Sequence, residues 1–212
     1  MGTRIRTRGV LSLLLFFVLW EGMGMGDQNK MLPEEKQTLY LVPFDNISTE
    51  VLRRIGEALK DQLKLDYRIM ASIPIPGSSF NPGRRQYLSP DFLSILAEKY
   101  SAPGRRILGI VDQDLYVPDL NFVFGQADIK NKTAVISLVR LRRKFYGLPE
   151  DQELFERRAL TEAVHELGHT WGLSHCTNPD CVMFFSNSLR DTDRKGYRFC
   201  DGCLKCLERK DP

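Results

Sequence analysis

Residues 38–44, Thr-Leu-Tyr-Leu-Val-Pro-Phe, form a nearly unbroken apolar run that predicts a buried strand. Val51, Ile55, Leu59 and Leu63 then recur every four positions. That spacing marks one face of a helix running to about Leu65, with Asn46 or Ser48 available to cap it. Residues 67–73 predict a second strand, and the Pro-, Gly-, Ser- and Arg-rich stretch 74–86 a loop. Ser89-Pro90 predicts the start of a second helix, Ser as cap and Pro in the first turn, ending before Pro103-Gly104. Residues 106–111 predict a third strand. This β-α-β-α-β order suggests parallel strands joined by crossover helices.

The pattern then changes. Residues 121–128 and 133–139 read as strands separated only by Ile129-Lys130-Asn131-Lys132, a connection short enough to demand an antiparallel hairpin. A long helix follows over about residues 149–171, with Leu160, Val164, Leu167 and Trp171 as its core stripe. Only short elements are expected beyond it. The fold class is α/β (α+β), a mixed twisted sheet with one antiparallel edge strand and a long helix. Residues 25–212 read as one domain, with an upper sub-domain of about residues 25–172, a small lower lobe of about 173–212 and a cleft between them.

Composition supports one full core: 42% of the 212 residues are hydrophobic. Thirty basic residues face 27 acidic ones for a net charge of +3, so bulk charge gives no sign of nucleic-acid binding. The one basic cluster, Arg140-Leu141-Arg142-Arg143-Lys144, reads as a solvated surface turn. At the N-terminus, Arg4, Arg6 and Arg8 precede an apolar run over residues 10–20. That run is too short to span a bilayer but suits the core of a signal peptide. Residues 1–24 are therefore either signal-like or an extension upstream of a true start at Met25.

The chemistry lies in one short stretch. All 3 histidines fall in His165-Glu166-Leu167-Gly168-His169-Thr170-Trp171-Gly172-Leu173-Ser174-His175. His165 and His169 share a helix face, so both imidazoles can reach one ion. Glu166 is one step round the helix, near enough to work on a metal-activated water without being a ligand. Gly172 can turn the chain and bring His175 back as the third ligand. Three protein ligands leave a coordination position open, which marks a catalytic rather than a structural zinc.

The 5 cysteines, Cys176, Cys181, Cys200, Cys203 and Cys206, all follow this motif. Two pairs in that order read as a four-thiolate structural zinc site, whereas an odd number fits disulfides poorly. The second pair is either Cys200 with Cys203 or Cys203 with Cys206. Because Cys176 directly follows His175, a second zinc would pin the loop that presents the third catalytic ligand.

The stretch from His165 to His175, followed by Cys176, Cys181, Met183 and Cys200-x-x-Cys203, resembles the archaemetzincin family of zinc metalloproteases. The resemblance implies a metzincin-like fold with a zinc-stabilised C-terminal lobe and two Zn2+ per chain. It implies a catalytic zinc on His165, His169 and His175, with Glu166 as general base and acid. It implies a structural zinc on Cys176, Cys181, Cys200 and Cys203, with Cys206 outside the family pattern as the less favoured ligand. Met183 would be the methionine of the Met-turn; from the residues alone it is a core methionine. The expected activity is peptide-bond hydrolysis through zinc-activated water. The alternatives are a zinc amidohydrolase acting on a small or modified-peptide substrate, and a non-catalytic zinc-knuckle interaction protein. The expected partner is a peptide or protein substrate, held along an antiparallel edge strand for which Asn121-Phe122-Val123-Phe124-Gly125-Gln126 is the candidate. The chain is expected to be a monomer without a membrane span. It is expected in the cytoplasm, where free thiolates persist; export is the reading that residues 1–24 would favour.

Overall fold

The computed structural model describes residues 37–209. The segment of residues 1–24, and with it the choice between a signal and a start at Met25, lies outside them. The strands are β1 (Thr38–Pro43), β2 (Asp66–Ile69), β3 (Phe80–Asn81), β4 (Gln86–Leu88), β5 (Arg105–Val111), β6 (Leu115–Tyr116), β7 (Gly125–Asp128) and β8 (Thr133–Ser137). The helices are α1 (Thr49–Leu63), α2 (Ser89–Tyr100), α3 (Gln152–Thr170), α4 (Leu189–Lys195) and α5 (Asp201–Glu208).

The main sheet runs in the order β2-β1-β5-β8-β7. Its first four members are parallel, and β7 pairs antiparallel with β8 at the edge. This is the mixed sheet with an antiparallel edge that the hairpin predicts. Strand alternation divides the core. Leu39, Leu41, Leu108, Ile110, Ala134 and Ile136 pack with residues of α1 and α3 on one face. Val42, Phe44, Ile107, Val111 and Val135 meet Phe92, Leu93 and Leu96 of α2 on the other. Helix α3 is buried from Arg158 through Gly168. It is therefore apolar or internally paired on every side rather than amphipathic.

Several boundaries differ from expectation. Strand β2 ends at Ile69, and the chain rejoins the sheet only through a bridge between Phe44 and Ile73. The loop over residues 74–86 holds a 3-10 turn and two short strands, which with β6 make a second sheet ordered β3-β4-β6. Helix α1 has Ser48 at its cap position, without a side-chain capping bond. Ser89 is not a cap: Leu88 takes that position, and Ser89, already helical, is buried with no partner for its hydroxyl. Helix α3 begins at Gln152, where Asp151 Oδ1 accepts from the Leu154 N–H at 3.0 Å.

The edge strand is shorter than predicted. Residues 121–124 precede β7 and turn toward the small sheet, Val123 donating its N–H to Leu115 O at 2.9 Å. After Ser137 the chain enters 3-10 turns at Val139–Leu141 and Arg143–Tyr146. The basic run here is not a freely solvated turn. Arg140 grips Asp114, with Nη2 to Oδ2 at 2.7 Å, and Arg143 lies 3.7 Å from Asp151. Among the described residues, no helix is long and apolar enough to cross a membrane.

Candidate active site and metal centres

Helix α3 carries His165 and His169 one turn apart, their Nε2 atoms 3.2 Å from each other. At its C-terminal end the Gly172 N–H donates to His169 O at 2.8 Å and the Leu173 N–H to Gly168 O at 3.1 Å. Gly172 has a φ of 80°, a left-handed conformation that a side chain would strain. This turn returns His175 to the helix. Its ring centroid lies 4.8 Å from that of His169 and 5.3 Å from that of His165. One ring nitrogen from each histidine lies within 4.8 Å of the others.

The rings are oriented from behind. His165 Nδ1 lies 2.7 Å from Val182 O, and His169 Nδ1 2.7 Å from Leu173 O. A carbonyl can only accept, and for His165 it is nearer than the Lys195 ammonium at 3.3 Å, so each Nδ1 carries the proton and each Nε2 keeps its lone pair for a metal. A tetrahedral zinc with bonds of about 2.0–2.1 Å spaces its nitrogens about 3.3 Å apart, and the observed Nε2 pair fits. Burial pushes the His165 pKa well below its usual value, and the Lys195 ammonium adds to this. Burial also lowers His169 and His175. Neutral imidazoles are the form a metal needs.

Glu166 is buried, and that burial raises its carboxyl well above the ordinary carboxylate range. Glu162, one turn earlier, raises it further, while Lys195 opposes both. Glu166 and His165 line a cavity of about 170 Å³ whose walls include Phe122, Phe124, Gly125 and Phe185.

The thiols form a second cluster. Cys176 and Cys200 Sγ are 3.8 Å apart, Cys181 and Cys203 Sγ 3.7 Å. A tetrahedral zinc with bonds of about 2.3 Å spaces its sulfurs about 3.8 Å apart. Backbone N–H groups point at the sulfurs, from Asn178 to Cys176 at 3.5 Å and from Cys200 to Cys181 at 3.4 Å. The Cys203 N–H is the largest cause lowering the Cys200 thiol to about 7, whereas burial raises Cys181 and Cys203. Cys206 stands apart from this group and accepts from Arg209 Nη2 at 3.4 Å. All five thiols are free.

Residues 41–209 match peptidase family M54. An archaemetzincin of Pyrococcus furiosus is 40% identical over 183 residues, covering 82% of this chain and 94% of the relative. The chain belongs to the archaemetzincins. These are metzincin-type zinc metallopeptidases. The archaemetzincin of Methanocaldococcus jannaschii is 40% identical over 166 residues, 78% of this chain and 90% of its own. The fold matches the crystal structure of the Methanopyrus kandleri archaemetzincin with a TM-score of 0.73 at 36% identity, covering 85% of this chain and 98% of the other. A zinc-dependent peptidase of Methanocorpusculum labreanum aligns with a TM-score of 0.71 at 28% identity, covering 80% and 99%.

In this archaemetzincin the three histidines come together as the motif predicts, and Cys176, Cys181, Cys200 and Cys203 gather without Cys206. Met183 is fully buried beneath Gly168, between the two helical histidines, where a Cβ would overlap its Sδ. Of the candidate edge segment, only Gly125 and Gln126 belong to β7. Sequence reasoning missed Glu162 and Lys195, a buried pair behind His165. The four-residue spacing of Glu162 and Glu166 was a signal for the first, while nothing local marked the second.

Proposed function

We propose that this archaemetzincin hydrolyses peptide bonds with Glu166 as general base and acid. In this reading His165, His169 and His175 hold a catalytic zinc, and Cys176, Cys181, Cys200 and Cys203 a structural one, so each chain binds two Zn2+. One observation carries it: three nitrogen donors gather, two of them oriented by backbone carbonyls, and one of these, His165, lines a cleft with the buried carboxylate of Glu166, its neighbour on the same helix.

Zinc, when bound at the histidines, supplies a Lewis acid and a water of pKa about 7. The chain's own groups do the rest. Glu166 takes the proton of the attacking water and returns it to the leaving amine. A carboxyl whose pKa burial raises is suited to hold that proton between the two steps. Phe122, Phe124 and Phe185 give the cleft beside Glu166 an apolar wall. An extended substrate can add to the open edge of β7 through main-chain hydrogen bonds, which select for backbone rather than sequence. Met183 serves as the apolar floor of the Met-turn. The lower lobe acts as a brace, since Cys176 follows the third histidine directly. The free thiols support a reducing compartment, the cytoplasm, and a single chain contains every group named.

The test is Glu166→Ala. The variant is expected to keep two zinc ions per chain by metal analysis and to lose cleavage of a peptide library that the wild type cuts. Unchanged turnover would remove Glu166 from the mechanism.

A further inference from the structure

Strand β7 passes Glu166 with its backbone bare. A Cβ built on Gly125 would lie 2.6 Å from Glu166 Cγ, 2.8 Å from Glu166 Oε1 and 2.7 Å from the Val135 carbonyl oxygen. Each separation is shorter than real Cβ atoms show. Gly125 is not a turn glycine. It sits in a regular ladder opposite Ile136, and its φ is not positive. The reason for glycine here is therefore space, and that space is taken by the Glu166 side chain and the Val135 carbonyl.

Neither neighbour can retreat. β7 is laddered to β8, and β8 to β5. Helix α3 is held at its start by the Asp151 cap and in its middle by Arg158, whose Nε and Nη2 each meet Asp193 at 2.7 Å. Near its end, Arg106 Nη1 donates to Thr170 O at 2.7 Å. With strand and helix fixed, the Glu166 side chain is the part that yields for its own two contacts, while the contact with the Val135 carbonyl falls on the β7–β8 ladder whatever residue stands at 166. The atom struck is Cγ, close to the helix, so yielding means leaving its rotamer and carrying the carboxylate away from the cleft.

We propose that Gly125 is a positioning residue for hydrolysis, its missing side chain defining the seat of the Glu166 carboxylate. The inference rests on Glu166 being the proton carrier. Any larger residue at position 125 displaces that carboxylate while leaving the metal ligands in place. A misplacement of about 1 Å costs on the order of 100-fold in rate.

The experiment is a double-mutant cycle of Gly125→Ala and Glu166→Ala in the zinc-loaded full chain, read in two ways. In thermal unfolding, Gly125→Ala is expected to lower Tm in the wild-type background and to lower it by less than half as much beside Glu166→Ala. Equal drops in both backgrounds would assign the cost to the Val135 carbonyl and overturn the proposal. If Gly125→Ala alone fails to fold, folding of the double variant supports the proposal and its failure overturns it. In kinetics, with a fluorogenic peptide that the wild type cleaves, Gly125→Ala is expected to lower kcat about 100-fold with KM within about threefold and zinc content unchanged. Retention of more than about a third of kcat, or a loss confined to KM, would overturn it. A wild type that cleaves no peptide counts against the peptidase reading alone, because the thermal arm still decides whether Gly125 and Glu166 are coupled.

Discussion

The Lys195 ammonium lies 3.3 Å from Glu162 Oε1, with both side chains almost wholly withdrawn from water. The same nitrogen is 3.3 Å from the Phe184 carbonyl, and Thr192 donates its hydroxyl to Glu162 Oε1 at 2.8 Å. Lys195 thus fastens α4 and the segment after Met183 to the back of α3, immediately behind His165. Removing one partner of a buried pair strands the other charge, at a cost of about 3–5 kcal/mol. Lys195→Met is expected to destabilise the protein by that order in urea unfolding. Adding Glu162→Gln is expected to recover part of the loss, and a double variant as weak as the single would show the pair is not the cause.

Histidine pKa values set the pH range of metal binding. Burial holds His165, His169 and His175 below the usual 6.5. Such groups stay uncharged in the fold while the unfolded chain already takes up protons, so with the histidine site empty the fold loses stability as pH falls below about 6.5. Zinc meets proton competition only lower still. Glu166 has the opposite sign, because burial favours its protonated form whereas a nearby cation favours the carboxylate. Zinc binding to the wild type is therefore expected to release more protons than binding to Glu166→Gln. In Glu166→Gln the further loss of zinc affinity that histidine protonation causes should set in only below about pH 6.5. Calorimetric titration in buffers of different ionisation enthalpy measures both.

The cysteines make separable predictions. Cys206→Ser is expected to leave zinc content and thermal stability unchanged, since Cys206 lies outside the four-sulfur group. Cys203→Ser is expected to lose the thiolate-bound zinc and to loosen zinc at the histidines, because Cys176 adjoins His175. Metal analysis after dialysis against a weak chelator distinguishes the two variants. Equal losses would mean that Cys206 is a ligand.

Gly168 and Met183 form a fitted pair, and a methyl group at Gly168 would overlap Met183 Sδ and press on Phe199. Overpacking of this kind costs about 1–3 kcal/mol. Gly168→Ala is expected to lose that much by denaturant titration. Adding Met183→Ala, which empties the space, should make Gly168→Ala nearly neutral.

What the sequence revealed follows from how local each signal is. Three ligands within one helical turn and one glycine-made corner leave a complete imprint on eleven residues, so the histidine site was legible before any fold was known. Strands β1, β5 and β8 were legible because each is largely a run of buried residues, whereas β2, at the sheet edge, has none and ends earlier than expected. The sheet of β3, β4 and β6 was not legible, since strands of two or three residues are too short to show a period. Ser89 looked like a cap by residue type, yet tertiary packing buried it inside the helix. The fourth thiolate was ambiguous because Cys200, Cys203 and Cys206 repeat at one interval, and only three-dimensional placement separates them. Lys195 and Gly125 were illegible for a shared reason: each acts on a residue distant in sequence, from an element with no marker of its own.

The encirclement of α3 bears on how the enzyme is made. The ribosome delivers the main sheet and the helix first, carrying His165, Glu166 and His169. His175, the Val182 carbonyl that orients His165, the thiolates and Lys195 all arrive afterwards. A nascent or truncated chain therefore carries two histidines and a glutamate without the third ligand or the carbonyl that orients His165. A complete set of site groups thus exists only after the residues through Lys195 have been made, when the sheet that precedes them has had time to fold.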